Sequence, residues 1–467
     1  MNAVTGQINA IGSGPSYLAR LGLAMRRYRG AIIAMQWGVV LGYLVLVALP
    51  AFLPLPPGQA HIWNNLTRFA QFAFWGIWWP FVILSMMLLG RMWCGVLCPE
   101  GALTEWVSRY GLGRGIPRWM KWGGWPFVAF VMTTIFGQMT SVYEYPKPAL
   151  LILGGSTIAA IAVGLIWGRE KRVWCRHFCP VSGVFGLLAK IAPVHFKVDQ
   201  STWDAALGGH RTSRQHVVNC APLINIRRME SASPCHMCGR CAGERDAVQL
   251  ALRSPNAEIL NKNGTLEDKA EELTRWPARL LVFGMLGVAL GAFQWSASPW
   301  FVTAKQAAAE WLIDHAIWWP LNETGHWWLL TYYPEANDVF TWLDGGMLLA
   351  YIVTETIVVG GWVWGWLRLT AALTKLPWQR LAHTLIPFAG ASVFVGLSLL
   401  TTSQLAGEGV TLPWVHGVRM ALLALAALWG ASLAWRLAKR NRPAAALGIS
   451  MATVLPLAAW STQFFVW

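Results

Sequence analysis

The eight cysteines of the sequence fall into groups whose spacing suits a metal centre. The run from Cys235 through Cys238 to Cys241 has the C-x2-C-x2-C spacing with which one short loop wraps three corners of an iron–sulfur cubane. No cysteine follows Cys241, and Cys220, which is followed by Ala-Pro, is the remaining cysteine in this part of the chain. The sequence therefore predicts a [4Fe–4S] cluster on these four cysteines, with a zinc site as the alternative.

A second pattern, W-C-x3-C-P, occurs twice, with Cys94 and Cys98 in the first copy and Cys175 and Cys179 in the second. Cysteines four residues apart lie on one face of a helical turn, and the proline that follows interrupts the helix. Each copy also comes after a pair of apolar segments, so we expect the two copies to meet. Four thiolates would then share one site and hold a second [4Fe–4S] cluster. Copper, zinc and free redox-active thiols remain open for this site.

The composition places these motifs in a membrane protein. Of the 467 residues, 55% are hydrophobic and 13% are charged, against roughly 25% charged in soluble domains. The sequence therefore predicts an all-α polytopic membrane protein with about nine transmembrane helices and a small cytoplasmic ferredoxin-like cluster-binding insert. The nine apolar segments are 31–53, 70–89, 124–142, 149–167, 277–298, 346–366, 383–402, 417–435 and 444–463.

The distribution of Lys and Arg predicts the orientation of the chain. The net charge is +15, and basic residues cluster in the N-terminus and in alternate loops, which we expect to be cytoplasmic together with every cysteine. A loop at 299–345 with Lys305 as its single Lys or Arg is expected to be periplasmic. The predicted regions are a basic cytoplasmic N-terminus (1–30), a four-helix membrane region with the two cysteine repeats (31–194), the cytoplasmic iron–sulfur insert (195–276) and a five-helix membrane region (277–467).

Two further features concern electron and proton transfer. Between residues 211 and 253 the insert carries seven Arg and three acidic residues, including Arg227 and Arg228. This excess favours docking of an acidic partner, although a solvated basic face next to the membrane is an equal interpretation. Glu355 is the one acidic residue near the middle of an apolar segment, where it either has a proton or quinol role or makes an interhelical contact.

The two W-C-x3-C-P motifs at 93–99 and 174–180 and the C-x2-C-x2-C run resemble those of membrane polyferredoxins, such as NapH, the C-terminal part of NosR, and CcoG. The resemblance covers roughly residues 30–250. It implies iron–sulfur electron transfer at the bacterial cytoplasmic membrane, between a quinol or cytoplasmic donor and a partner redox enzyme. This chain looks like a divergent member, with one incomplete C-x2-C-x2-C motif and five additional C-terminal segments. A copper reductase, an assembly factor or a transporter-like protein is the alternative function. We expect no nucleic-acid partner.

Overall fold

The computed structural model describes residues 16–208, 218–260 and 275–467. The predicted all-α membrane architecture is confirmed, because eight of the described helices, α2, α3, α7, α12 and α14 to α17 below, are long and apolar enough to cross a bilayer. In chain order the helices are α1 (Tyr17–Arg27), α2 (Arg29–Phe52), α3 (Leu66–Leu89), α4 (Met92–Val96), α5 (Pro99–Val107), α6 (Trp125–Met139), α7 (Pro146–Trp167), α8 (Val173–His177), α9 (Ser182–Ile191), α10 (Gln200–Gly208), α11 (Ala257–Leu260), α12 (Arg275–Ala297), α13 (Pro299–Asp314), α14 (Trp342–Thr374), α15 (Trp378–Gly407), α16 (Val415–Leu437) and α17 (Arg442–Phe465).

Helix α6 is the segment predicted at 124–142, and it has 15 residues, fewer than the roughly 20 that span a bilayer. Its first residue, Trp125, contacts the ring of Phe178 with 5.3 Å between centroids, next to Cys179. At its other end the carbonyl of Met139 accepts a hydrogen bond of 2.9 Å from the backbone of Thr331, in the loop between α13 and α14. The short helix therefore runs between the same two sides as the longer ones.

The sequence repeat is also a structural repeat. Helices α2 and α3 lead into α4, which holds the first cysteine motif, as α6 and α7 lead into α8, which holds the second. In both motifs the backbone N–H of the second cysteine donates to the carbonyl of the preceding tryptophan, at 2.9 Å from Cys98 to Trp93 and 3.1 Å from Cys179 to Trp174. The same residue types at the same spacing thus form the same turn twice.

Both copies also contain a π-helical turn in the helix before the motif, at Phe72–Trp78 in α3 and at Leu150–Gly154 in α7. Such turns are rare and frequently occur at functional sites. They lie beside an interior space that the side chains of Phe74, Trp75 and Leu153 help to line.

The insert is built on two antiparallel strands, β1 (Val194–Val198) and β2 (Val248–Leu252), paired over their full length. Helix α1 packs on β2. Arg253 attaches the insert to the membrane region: its guanidinium donates to the carbonyls of Ala189 and Lys190, both at 3.0 Å, at the end of α9. Of the predicted insert, 209–217 and 261–274 lie outside the described residues, as do residues 1–15 of the predicted N-terminus.

The cysteine motifs and the insert lie on one side of the helices, called here the cluster side. The loops 53–65, 140–145, 298–341 and 408–414 lie on the opposite side, where α13 and a short pair of strands, β3 (Tyr332–Tyr333) and β4 (Asp338–Val339), are found. The C-terminal helices are joined to the rest, since α15 packs on α3 and α12 packs on α6. Helices from both halves of the chain therefore surround the region between the cysteines and the opposite side.

Candidate functional site

The four cysteines of the two C-x3-C-P motifs line one interior cavity of about 240 Å³, called here the inner cavity. Cys94 lies within α4 and Cys175 within α8, while Cys98 and Cys179 follow these short helices. The Sγ atom of Cys98 accepts a hydrogen bond from the backbone N–H of Gly101 at 3.4 Å, which caps the first turn of α5. Two motifs 81 residues apart in sequence thus border the same space.

The electrostatics of these thiols reflect their proximity. Burial raises the pKa of Cys98 well above its usual range, and Cys175 and Cys94 raise it further. Burial likewise raises the pKa of Cys175 to about 12, although the nearby Arg172 lowers it. Because a thiolate is the metal-binding form, ionised cysteines in this position require positive charge beside them. Bound iron and the nearby Arg91 and Arg172 would meet that requirement.

The four cysteines of the insert line a second, smaller cavity. The loop between Cys235 and Cys241 turns sharply, with left-handed backbone at Met237 (φ +54°) and Gly239 (φ +74°). The backbone N–H of Met237 donates to the Sγ atom of Cys235 at 3.4 Å. Burial raises the pKa of Cys235 to about 12, and Cys238 and Cys220 raise it as well. Cys220, which was predicted as the fourth ligand by elimination, therefore borders the same space as the other three cysteines.

The two sets of cysteines lie side by side, and Gly95 is the point of contact. A Cβ atom on Gly95 would lie 2.0 Å from the carbonyl oxygen of His236 and 2.9 Å from the backbone nitrogen of Cys238. Only glycine allows this approach. Gly95 follows Cys94 directly in the chain. The membrane cysteines and the insert cysteines are therefore only a few atoms apart at this contact. Sequence analysis missed this role, although the first motif has a glycine directly after its first cysteine where the second motif has Arg176, which was a usable signal.

A buried carboxylate, Glu105 in α5, joins the elements that carry the cysteines. The Nε atom of Arg172 donates to Glu105 Oε2 at 2.7 Å, and Arg172 also donates to the carbonyl of Cys94. Glu105 forms a second ion pair with Arg240, which lies between Cys238 and Cys241, and Arg29 approaches it to 3.7 Å. No sequence pattern predicts this group, because its members are distant in the chain.

Arg91 makes a similar connection ahead of α4. Its side chain donates to the carbonyl of Ser233 in the insert at 3.0 Å and to the hydroxyl of Ser182 at 3.1 Å. The same hydroxyl donates to the carbonyl of Cys175 at 2.8 Å. Arg91 is 5% exposed and lines the inner cavity, so it places a fixed positive charge beside the membrane cysteines. Such a charge favours anionic ligands and anionic clusters.

The donor set fits the predicted cofactor. Each cavity is bordered by four cysteines, the ligand set of a [4Fe–4S] cluster. Among the residues that the structure describes, no group of three or more His, Cys, Asp or Glu side chains is arranged to hold a single metal ion. Glu355, the other acidic candidate, lines neither cavity and packs against Gly291 of α12, whose added Cβ would lie 3.1 Å from its own.

Comparison with known proteins agrees with this chemistry. The family described as "4Fe-4S binding domain" matches the chain twice, at residues 71–119 and 150–199. Each match contains one W-C-x3-C-P motif. The chain is a 4Fe–4S-binding membrane protein. The matches fall on the W-C-x3-C-P motifs, and neither includes the C-x2-C-x2-C run.

Two curated relatives extend the comparison. The chain is 25% identical to "Putative electron transport protein YccM" of Escherichia coli over 240 residues, which are 45% of this chain and 62% of YccM. It is 22% identical to the methylamine utilization ferredoxin-type protein MauN of Paracoccus denitrificans over 206 residues, 36% of this chain and 71% of MauN. The chain thus covers less than two thirds of YccM. No solved structure matches it. The predicted resemblance to membrane polyferredoxins is confirmed.

Proposed function

We propose that this chain passes electrons from a membrane quinol, through two [4Fe–4S] clusters, to a redox partner that docks on the insert at the cytoplasmic side. Cys94, Cys98, Cys175 and Cys179 would hold one cluster; Cys220, Cys235, Cys238 and Cys241 would hold the other. When bound, clusters of this type accept and release one electron at a time. The observation that carries the proposal is the inner cavity, which connects the membrane helices to the first set of cysteines.

The inner cavity has the character of a site for a small apolar ligand. Its walls are mostly aromatic and aliphatic, with Phe74, Trp75, Trp78 and Trp79 from α3. A few polar groups are present, as in typical ligand sites: the hydroxyls of Tyr43, Tyr143, Thr133, Thr134 and Ser156 and the carboxyl of Glu100. Trp174 donates to Glu100 at 3.1 Å and so fixes the orientation of that carboxyl. A quinol headgroup, with an apolar ring and two hydroxyls, matches this lining.

The path away from the cavity is supported by the contact at Gly95. Electrons that reach the Cys94 set have the insert set directly across that contact, at Cys238. The outer face of the insert then carries the docking surface. Arg227 is paired there with Asp204 at 2.8 Å, whereas Arg228 is exposed and has no ion pair within the described residues. An acidic partner surface would be attracted to this face.

Iron and acid-labile sulfide counts test the ligand sets. In the anaerobically purified protein we expect about eight irons, and about four in each of the variants Cys238→Ser, Cys94→Ser and Cys175→Ser. The last two variants should lose the same electron paramagnetic resonance signal, because either removes a ligand from one shared site. If Cys94→Ser and Cys175→Ser each keep a different metal centre, the two C-x3-C-P motifs do not share one site. Copper or zinc in place of iron would favour the metal-handling alternative.

A substitution that fills the inner cavity tests the quinol donor. Thr134 lines the cavity, so Thr134→Trp should block reduction of the clusters by a quinol analogue and leave their reduction by dithionite unchanged. The matched control is Ile158→Trp on α7, where the side chain is 69% exposed on the outer surface. Equal rates of reduction by quinol in the two variants would remove the inner cavity from the proposal and favour a soluble donor.

A further inference from the structure

A third cavity lies between the inner cavity and the opposite side of the protein. It has a volume of about 1210 Å³ and is called here the vestibule. Residues of all four loops of the opposite side contribute to its lining, so it opens away from the cysteines. Its lining includes charged and titratable side chains throughout: Arg68, Glu144, Asp338, Glu408, His416 and Arg419.

The inner cavity and the vestibule share a thin wall. Tyr143, Ala292 and Phe293 line both of them. Tyr143 is the one of these three with a hydroxyl, and that hydroxyl makes no hydrogen bond to any residue within the described ranges. The Tyr143 ring is held edge-on against Trp75, with 4.8 Å between centroids. A hydroxyl in this position is available both to a ligand in the inner cavity and to water in the vestibule.

The vestibule contains polar groups that need water. Gln404 Oε1, Gln463 Oε1 and His416 Nδ1 are buried without a hydrogen-bond partner in the described chain, and all three residues line the vestibule. Buried polar atoms of this kind are normally satisfied by ordered water. The amide of Gln463 also donates to the carbonyl of Phe293 at 3.0 Å, so the polar lining extends to the wall itself.

On the cluster side the inner cavity is lined by the cysteines, by the carboxyl of Glu100 and by positive charge. Arg91 lines that end and is 5% exposed, and Arg172, which donates to the carbonyl of Cys94, is 2% exposed. Both are held by hydrogen bonds to the backbone near the cysteines. A proton that leaves in this direction would have to pass fixed positive charges in a region of low dielectric constant, which is unfavourable.

We infer that quinol oxidation in the inner cavity separates charge across the membrane: electrons leave toward the cluster side and protons leave through Tyr143 into the vestibule. This inference rests on the proposed function. For each quinol, two O–H bonds break and the quinone forms, two electrons pass one at a time to oxidised clusters, and two protons pass to vestibule water. An external one-electron oxidant on the cluster side then reoxidises the clusters.

Proteoliposomes that contain the holoprotein test the direction of proton release. Ferricyanide outside the vesicles is membrane-impermeant, so it selects the molecules whose insert faces outward and whose vestibule faces the lumen. With a short-chain quinol as donor, a pH indicator in the lumen should report two protons released there for each quinol oxidised, and a protonophore should abolish the difference. Quinol oxidation with both protons released outside would overturn the inference and leave the proposed function intact.

The variant Tyr143→Phe tests the route. We expect quinol oxidation to slow at least tenfold, while iron content and reduction by dithionite are unchanged. Quinone binding, read from quenching of the fluorescence of the cavity tryptophans, should weaken by a smaller factor than the rate, because the variant removes one of several hydroxyls that line the cavity. Tyr351→Phe on α14 is the matched control, because Tyr351 lines neither cavity. Unchanged proton release in Tyr143→Phe would overturn the route. If the unmodified protein does not bind quinone, both the inference and the proposed quinol donor are wrong.

Discussion

The contact at Gly95 yields a quantitative prediction for the variant Gly95→Ala. The added methyl group would lie 2.0 Å from the carbonyl oxygen of His236 and within 3.0 Å of two backbone atoms of Cys238. Relief requires a shift of about 1 Å, because Cβ contacts under 3.0 Å essentially do not occur. The opposing atoms belong to the backbone, so no side chain can rotate away. The insert therefore has to move relative to α4.

Overpacking of this kind costs about 1–3 kcal/mol. If the cost is released by undocking the insert, the population of the docked state relative to the undocked state falls by about 5-fold to 140-fold, since about 1.4 kcal/mol corresponds to a factor of ten. The three atoms nearest to the added methyl group belong to the backbone of His236 and Cys238, and no cysteine Sγ atom is among them, so all eight thiols keep their places. Both clusters should therefore form, and electron transfer between them should fail.

The measurement combines spectroscopy with proteolysis. With both clusters reduced, the magnetic interaction that broadens the electron paramagnetic resonance spectrum should give way to two separate signals in Gly95→Ala. Cleavage of the insert by a protease should accelerate by the same factor, since it follows the open population when opening is fast. Gly38→Ala in α2 is the control, because an added Cβ there meets nothing within 4 Å. A coupled spectrum and unchanged cleavage in Gly95→Ala would refute the close contact.

Two further predictions concern charged groups. Arg172→Gln removes the most deeply buried partner of Glu105, so the free energy of unfolding should fall by about 3–5 kcal/mol in chemical denaturation, and Glu105→Gln in the same chain should restore part of it. A double variant no more stable than the single one would show that the pair is not the cause. Arg228→Glu should slow reduction or oxidation of the insert by an acidic partner and weaken the dependence of the rate on salt, whereas Arg440→Glu, exposed on the same side in the loop before α17, should not. Equal rates in these two variants would move the docking surface elsewhere.

The sequence predicted the features that depend on local pattern. Cysteine spacing indicated iron–sulfur chemistry, and hydrophobic runs predicted the membrane helices, including α6, which is short because Pro126 and the turn after Met139 limit it. What the sequence did not reveal depends on contacts between distant segments. The contact of Gly95 with His236 forms only when the insert is docked on the membrane region. The same is true of the group in which Glu105 pairs with its arginines. The orientation of the chain and the residue ligands of each cluster stay predictions.

The C-terminal helices, which had no motif to explain them, form walls of both cavities. Val393 and Leu397 of α15 and Phe293 of α12 face the inner cavity, opposite the aromatic residues of α3. The vestibule depends on the same region, because Arg419 of α16 and Gln463 of α17 line it. A four-helix unit with two cysteine motifs would leave the proposed quinol site open to lipid on that flank. Helices α12 and α15 thus close the proposed quinol site, and α16 and α17 line the polar space beyond it, so loss of these helices should abolish directional proton release before it abolishes cluster binding.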